Sequence, residues 1–119
     1  MNLKNHSTVV LGIALIKLTD PNGNSVKLRA LLDSASMSNF ITEEAAQLLG
    51  ARRLKSDLTV IGISQNTTRP RGKIILNLET LTGKVITENE HFHILNKISS
   101  DLPRVEISDK VLQKVNTIL

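Results

Sequence analysis

The segment LRALLDSASMSNFITEEAAQLLG, residues 28–50, is the most informative part of the chain, and it sets an acid directly against apolar residues. Asp33 follows Leu31 and Leu32, and small residues at 34–36 come next. A carboxylate at the end of an apolar strand is costly unless its charge is paired or used, because desolvation disfavours the ionised form. The role of Asp33 is therefore the first question that the sequence raises.

Length and composition are those of one domain with an aliphatic core. The chain has 119 residues, of which 40% are hydrophobic but only 2% aromatic, so we expect 1–119 to form a single domain. The aromatic platforms on which single-stranded nucleic acid stacks are absent from the sequence. There is no cysteine, which excludes disulfides and cysteine-ligated zinc and favours a cytoplasmic location.

The chain is basic, with a net charge of +4 at pH 7. Two clusters stand out: Arg52, Arg53 and Lys55, and Arg69, Arg71 and Lys73. Such clusters bind phosphate in nucleic-acid-binding proteins, but solvated loops are the simpler interpretation, so we expect no nucleic-acid partner. The longest apolar run, residues 9–16, is too short to span a bilayer, so we expect no membrane partner either.

Apolar patterning predicts a β-hairpin ahead of Asp33. Residues 8–18 and 26–32 have the composition of strands. The stretch between them, 19–25, concentrates Asp, Pro, Asn and Gly, which are the residues of tight turns. The hairpin places Asp33 at the end of its second strand.

A short helix is predicted directly after the Asp33 segment, at 42–50. Thr42 is suited to cap its N-terminus, and Gly50 is suited to end it in the left-handed conformation. A second helix is indicated over 108–119, where apolar residues recur at helical spacing.

Further strands are predicted between the two helices. Residues 58–61 and 85–95 are strand-like, and 73–81 alternates with its apolar residues on one face. The stretch 62–72 is polar and bounded by glycines, which predicts a loop. The fold class is therefore mostly β.

Three interpretations of Asp33 follow from the residues. It is a turn residue that binds nearby backbone amides, a metal ligand together with Ser34, or a catalytic carboxylate whose small neighbours leave space around it. The metal interpretation finds no support, because the aspartates are scattered and His91 and His93 lack a carboxylate cluster, so we expect no metal. The other two interpretations stay open.

Catalysis by Asp33 requires a second carboxylate. Two carboxylates hydrolyse an amide when they are close enough to share a proton, since like charge then raises one of the two pKa values. No other aspartate of the chain has a comparable setting. A twofold homodimer would bring two copies of Asp33 together without any new sequence.

The segment at 29–50 resembles the active-site region of retropepsin-like aspartic proteases. It is most similar to the protease domain in polyproteins of BEL/Pao-type retrotransposons. The resemblance is carried by an apolar strand, by Asp-Ser-Ala at 33–35, by Ser-Met-Ser-Asn-Phe-Ile-Thr at 36–42, and by a short helix that ends in Leu-Gly. A looser resemblance extends over most of the chain. It implies a retropepsin-like closed β-barrel or sandwich with one short α-helix after the active-site loop.

The resemblance also implies roles for individual residues. Asp33 would be the catalytic aspartate, one in each subunit, and Ser34, Ala35 and Ser36 would support the active-site loop. Ala35 would act through its backbone amide, which supports the carboxylate. A mobile flap over the substrate would contain four residues of the predicted loop: Gly62, Ile63, Ser64 and Gln65.

The function implied by the resemblance is that of a homodimeric aspartic endopeptidase. Such an enzyme cleaves extended peptides, as in polyprotein processing, by general acid/base activation of a water and without a cofactor. Its location would be the cytoplasm or the interior of retrotransposon particles. The alternative is a catalytically inactive dimerisation or peptide-binding module of the same fold.

One family feature is missing from the sequence. Such proteases carry, late in the chain, two apolar residues and a glycine that thread beneath the active-site loop, and here Gly83 is the only glycine after Leu81. Three explanations fit this departure: a domain truncated at its C-terminus, a different closing element, or an inactive relic.

Overall fold

A closed β-barrel forms the body of the protein. The computed structural model describes residues 11–61, 67–98 and 104–118. Its strands are β1 Leu11–Thr19, β2 Ser25–Asp33, β3 Asn39–Thr42, β4 Val60–Ile61, β5 Thr67–Thr68, β6 Lys73–Glu79, β7 Val85–Leu95 and β8 Val105–Ile107; its helices are α1 Glu43–Leu49 and α2 Asp109–Ile118. The barrel order is β1-β2-β8-β3-β7-β6, and β4 and β5 form a separate pair. The predicted mostly-β barrel with a short helix after the Asp33 loop is confirmed.

The β1–β2 hairpin is the predicted one, and a side chain stabilises its turn. Asp20 Oδ1 accepts hydrogen bonds from the backbone N–H groups of Asn22 (3.0 Å) and Asn24 (2.7 Å). The strands pair antiparallel from Thr19 opposite Ser25 to Leu11 opposite Asp33. The hairpin register therefore carries Asp33 to the far end of β2.

Alternate residues of each barrel strand point into the core. In β6, the three residues predicted to share a face, Ile74, Leu76 and Leu78, are at most 1% exposed, which confirms that prediction. Phe92 of β7 and Val105 of β8 are fully buried against them. Burial of one large apolar side chain contributes about 1.5–3 kcal/mol, so this inward pattern dominates the stability of the barrel.

The strand β8 closes the barrel between β2 and β3 without the glycine motif. It pairs parallel with β2, Leu31 opposite Glu106, and antiparallel with β3, Phe40 opposite Glu106. The glycine motif is absent, but residues 105–108, Val-Glu-Ile-Ser, lie beside the strand that ends in Asp33. Of the three explanations offered for the missing motif, β8 corresponds to a different closing element. The pattern did not predict β8 or β3 because three or four residues are too few for a period to be recognised.

The helix α1 has the caps that the sequence predicted. Thr42 Oγ1 accepts from the Ala45 N–H at 3.2 Å, and Gly50 ends the helix at φ 71°. The predicted second helix is present as α2, with its apolar side on the barrel: Val111, Leu112 and Val115 are buried. Within the described residues, no helix is long and apolar enough to cross a membrane.

Each basic cluster contributes one arginine to an acid of α1. The guanidinium of Arg53 hydrogen-bonds both carboxylate oxygens of Glu43, and Arg71 Nη1 lies 4.0 Å from Glu43 Oε1. The hydrogen bonds from Arg53 are the main cause that lowers the pKa of Glu43 to about 2. These two arginines are therefore engaged in holding α1 to the following loops.

Among the glycines that the structure describes, Gly72 has the least room for a side chain, which gives a test of the fold. Its φ is +133°, and a Cβ would lie 2.9 Å from the backbone oxygen of Leu54. Gly83 has a φ of +95° but nothing within 4 Å of a Cβ. We expect Gly72→Ala to lower the free energy of urea unfolding by roughly 2–4 kcal/mol, and Gly83→Ala by only about 1–2 kcal/mol, since the latter adds left-handed strain alone. Equal losses would show that the Leu54 contact is unimportant.

Candidate active site

Asp33 is the last residue of β2 and opens the turn that leads to β3. The residues of β2 alternate, with Ala30 buried inside the barrel and Leu31 and Asp33 on its outer face. The Asp33 carboxylate is half-buried, and its Oδ1 accepts a hydrogen bond from the backbone N–H of Ala35 at 2.9 Å. Its carbonyl accepts from the N–H of Ser36 at 3.0 Å. The loop thus fixes the carboxylate through its own backbone.

The three predicted support residues lie together in this turn. Ser34 is half-buried and Ala35 exposed, while Ser36 is only 9% exposed. The Ser36 hydroxyl donates to the carbonyl of Ser38 at 2.7 Å, which closes the second half of the loop. The structure brings Ser34, Ala35 and Ser36 next to Asp33; their roles in catalysis stay predictions.

Asn39 connects the loop to the elements around it, a role that sequence reasoning did not predict. Its side chain is 5% exposed. Its Oδ1 accepts from the N–H of Ser108 at 2.9 Å, and its Nδ2 donates to the carbonyl of His91 at 3.2 Å. The N–H of Asp109 in turn donates to the Ser36 carbonyl at 3.1 Å. The start of α2 is therefore bonded to both ends of the segment that follows Asp33.

A second carboxylate, that of Glu106, lies close to Asp33 in the same chain. Glu106 is half-buried on the outer face of β8, between the buried residues Val105 and Ile107. Burial raises the pKa of Glu106, and the charge of Asp33 raises it further, while a hydrogen bond with Ser36 opposes both effects. The sequence contains a pattern that could have indicated Glu106: like Asp33, it is an acid next to apolar residues of a strand.

The four residues predicted for the flap lie outside the described residues. Gly62, Ile63, Ser64 and Gln65 belong to the stretch 62–66, which the structure does not describe. On either side of that stretch, β4 and β5 pair antiparallel, with Ile61 opposite Thr67. Part of the predicted loop is therefore strand, because β-branched residues such as threonine suit strand pairing.

The Asp33 carboxylate does not face the groove that opens beside its loop. That groove has a volume of about 310 Å³, and its walls include Met37, Asn39 and His91 but neither Asp33 nor Glu106. The parts of the chain that the structure describes contain no group of three or more side chains able to hold a metal ion. Both carboxylates instead lie on the outer surface of the barrel.

Comparison with known proteins identifies the architecture. No family model matches the chain, and no curated protein sequence matches it. Among solved structures, EIAV protease complexed with the inhibitor HBY-793 superposes with a TM-score of 0.61 at 14% identity, over 94% of this chain and 92% of that one. The chain has the retropepsin-like fold. A retropepsin-like aspartic protease from Rickettsia conorii is similar as well, with a TM-score of 0.52 at 23% identity, over 90% of this chain and 82% of that one.

These structural neighbours agree in class and differ widely from the chain in sequence. Both are retropepsin-like aspartic proteases. At identities of 14% and 23% the likeness is one of fold, and function has to be argued from the residues of the site.

The bonds of Asn39 provide a test of how the loop is held. Asn39→Ala leaves the Ser108 N–H and the His91 carbonyl without their partners in a buried place, so we expect a loss of about 2–4 kcal/mol in the free energy of unfolding. Asn77→Ala is the matched control, because Asn77 Oδ1 accepts a bond from the N–H of Asn89 at an exposed site. It should cost about 1 kcal/mol or less. A small loss for Asn39→Ala would contradict the assigned role.

The raised pKa of Glu106 predicts a pH-dependent effect on stability. Between its unfolded value, near 4.5, and the higher folded value, the native state binds more protons than the unfolded chain, so stability falls as pH rises through that window. Glu106→Gln should therefore stabilise the protein at pH 7 and have no such benefit below pH 4. Urea unfolding at both pH values measures this, with the exposed Glu88→Gln as control. A benefit that is independent of pH would disprove the electrostatic cause.

Proposed function

We propose that the chain is an aspartic endopeptidase that works as a homodimer, with Asp33 of each subunit forming the catalytic pair. The observation that carries the proposal is the Asp33 carboxylate, fixed by the Ala35 N–H at the end of a strand in a retropepsin-like barrel. The proteolytic activity in the names of the structural neighbours supports the same reading.

The proposed chemistry is general acid/base hydrolysis of a peptide bond. One Asp33 carboxylate takes a proton from a water whose oxygen attacks the peptide carbonyl carbon, and the protonated Asp33 of the other subunit donates to the carbonyl oxygen. Collapse of the intermediate then breaks the C–N bond as a proton passes to the leaving nitrogen. Two equivalent carboxylates hold one shared proton because like charges at short range do not both ionise.

The position of Asp33 supports a site that is completed by a second copy. The carboxylate lies on the outer barrel surface, where a twofold partner can bring its own Asp33 opposite. Glu106 is the only other acid whose charge interaction with Asp33 stands out within the described chain. Glu106 lies on β8 and not in the turn that Asp33 opens, so we assign the second catalytic carboxylate to the partner.

The proposed substrate is an extended peptide. A strand-like peptide can pair with the backbone of a flap and of the barrel, while pockets for its side chains give selectivity. We assign the flap to the segment that joins β4 and β5, two strands that pair antiparallel. The resemblance at residues 29–50 further supports an origin in a BEL/Pao-type retrotransposon polyprotein, with processing of that polyprotein in the cytoplasm or in retrotransposon particles as the biological role.

Replacement of Asp33 tests the catalytic assignment. We expect Asp33→Asn to reduce peptide hydrolysis at mildly acidic pH by roughly a thousandfold or more, since it removes the general base. Asp57→Asn is the matched control, because Asp57 is exposed and outside the loop, and it should leave hydrolysis unchanged. Hydrolysis that survives Asp33→Asn would reject the proposal.

Dilution tests the dimer separately. If the pair is formed between subunits, the rate per mole of chain should fall as the protein is diluted through the dimer dissociation constant, and molar mass in solution should fall in parallel. A rate per mole that stays constant in a monomer would assign the second carboxylate to the same chain. A dimer that binds peptides but does not cleave them would support the inactive-module alternative.

A further inference from the structure

We propose that Glu106 forms a binding site for a basic side chain, lysine or arginine, next to the scissile bond of a peptide held at Asp33. The inference rests on the proposed function, because it uses the position that a peptide must take at Asp33. It assigns to this chain a substrate class, peptides with a positive charge beside the cut.

The strand pairings place Glu106 on the same surface as Asp33. Val105 and Ile107 are fully buried, so the residue between them points to the outside of the barrel. Leu31 of β2 and Phe40 of β3 are its register partners, and Asp33 lies two residues beyond Leu31 on the same face of β2. Glu106 and Asp33 therefore lie on the same surface, and we place the peptide along it.

The side chains beside Glu106 suit a long basic residue. Leu31 and Phe40 are apolar and only half-buried, and they stand on either side of the Glu106 carboxylate. Lysine and arginine have apolar stems that pack along such surfaces while their charged ends reach an acid. The site thus combines apolar walls with a negative charge.

The negative charge of Glu106 lacks a positive partner in the described part of the chain. Arg104, two residues earlier, pairs instead with Glu44 through Nε and Oε1 at 3.3 Å. His93, opposite Phe40, is hydrogen-bonded to Ser56 at 2.8 Å. Arg29 is exposed on β2 and forms no ion pair with Glu106 among the described residues.

The nearby Asp33 increases the preference for a cation. Glu106 and Asp33 interact as like charges, so a positive side chain between them relieves their repulsion, whereas an acidic side chain adds to it. In the proposed homodimer, the twofold axis places one Glu106 on each side of the cut. We therefore expect the basic residue to be accepted on either side of the scissile bond.

Cleavage of a randomised peptide library tests the site. Wild-type protein, Glu106→Gln and Glu106→Lys digest the same library, and mass spectrometry identifies the residues next to each cut. The wild type should enrich lysine and arginine about tenfold, the size expected for one charged hydrogen-bonded contact. Glu106→Gln should abolish this enrichment, and Glu106→Lys should replace it with a preference for aspartate and glutamate.

Two controls separate this inference from general charge effects and from the proposed function. Glu88→Gln removes the same charge at an exposed position of β7 and should keep the enrichment. In a second arm, immobilised Asp33→Asn protein selects peptides from the library by binding at pH 7, with the double variant Asp33→Asn and Glu106→Gln for comparison. Retention of basic peptides should depend on Glu106.

The outcomes are distinguishable. Cleavage without enrichment of basic residues, or enrichment that survives Glu106→Gln, overturns the basic-residue site and leaves the endopeptidase standing. Absence of cleavage by the wild type, together with Glu106-dependent retention of basic peptides, supports the site and overturns the endopeptidase. Absence of both cleavage and retention overturns both.

Discussion

The strand β8 closes the barrel at the point where the Asp33 loop leaves it. The loop joins β2 to β3, yet these strands do not pair with each other, because β8 lies between them. Without β8, both would expose unpaired N–H and C=O groups beside the loop. Since Asp33 ends β2 and Asn39 begins β3, the width of one intervening strand sets the distance that the loop has to span.

The same short strand also introduces the second acid of the site. Because Val105 and Ile107 point inward to complete the core, Glu106 has to point outward, toward the surface that carries Asp33. The register of β8 therefore has two consequences: the strand supports the loop, and it places a negative charge beside the loop. The burial that raises the pKa of Glu106 is an energetic cost of this arrangement, of the kind that proteins tolerate at functional sites.

The fold and the proposed activity rest on different parts of the molecule. The barrel needs inward apolar residues at alternate positions, a requirement that many sequences satisfy, and this explains why its solved neighbours share it at only 14% and 23% identity. The proposed hydrolysis instead depends on one carboxylate at a defined place in a turn. The proposed substrate preference depends on the outward residues, whose identity the core does not constrain.

Local features of the protein could be read from the sequence, because the residues that cause them are neighbours in the chain. The hairpin turn at Asp20 and the two caps of α1 depend on contacts within a few residues, and the alternation of β6 is a pattern of residues two positions apart. Asp33 was recognisable for the same reason, since the apolar residues that make its charge costly directly precede it.

The closing strand and the contacts around the loop could be obtained only from the folded chain. Asn39 and Ser108 form their hydrogen bond across 69 residues of sequence, and β8 is defined by its pairing with strands far earlier in the chain. A strand of three residues is too short to show a recognisable alternation, and a buried asparagine has no local signature in the sequence. Glu106 shows the difference between what the sequence and the structure determine. The sequence shows an acid between apolar residues, but only the register of the barrel strands places that acid beside Asp33. This register depends on the packing of the whole core, because the paired strands are far apart in the chain.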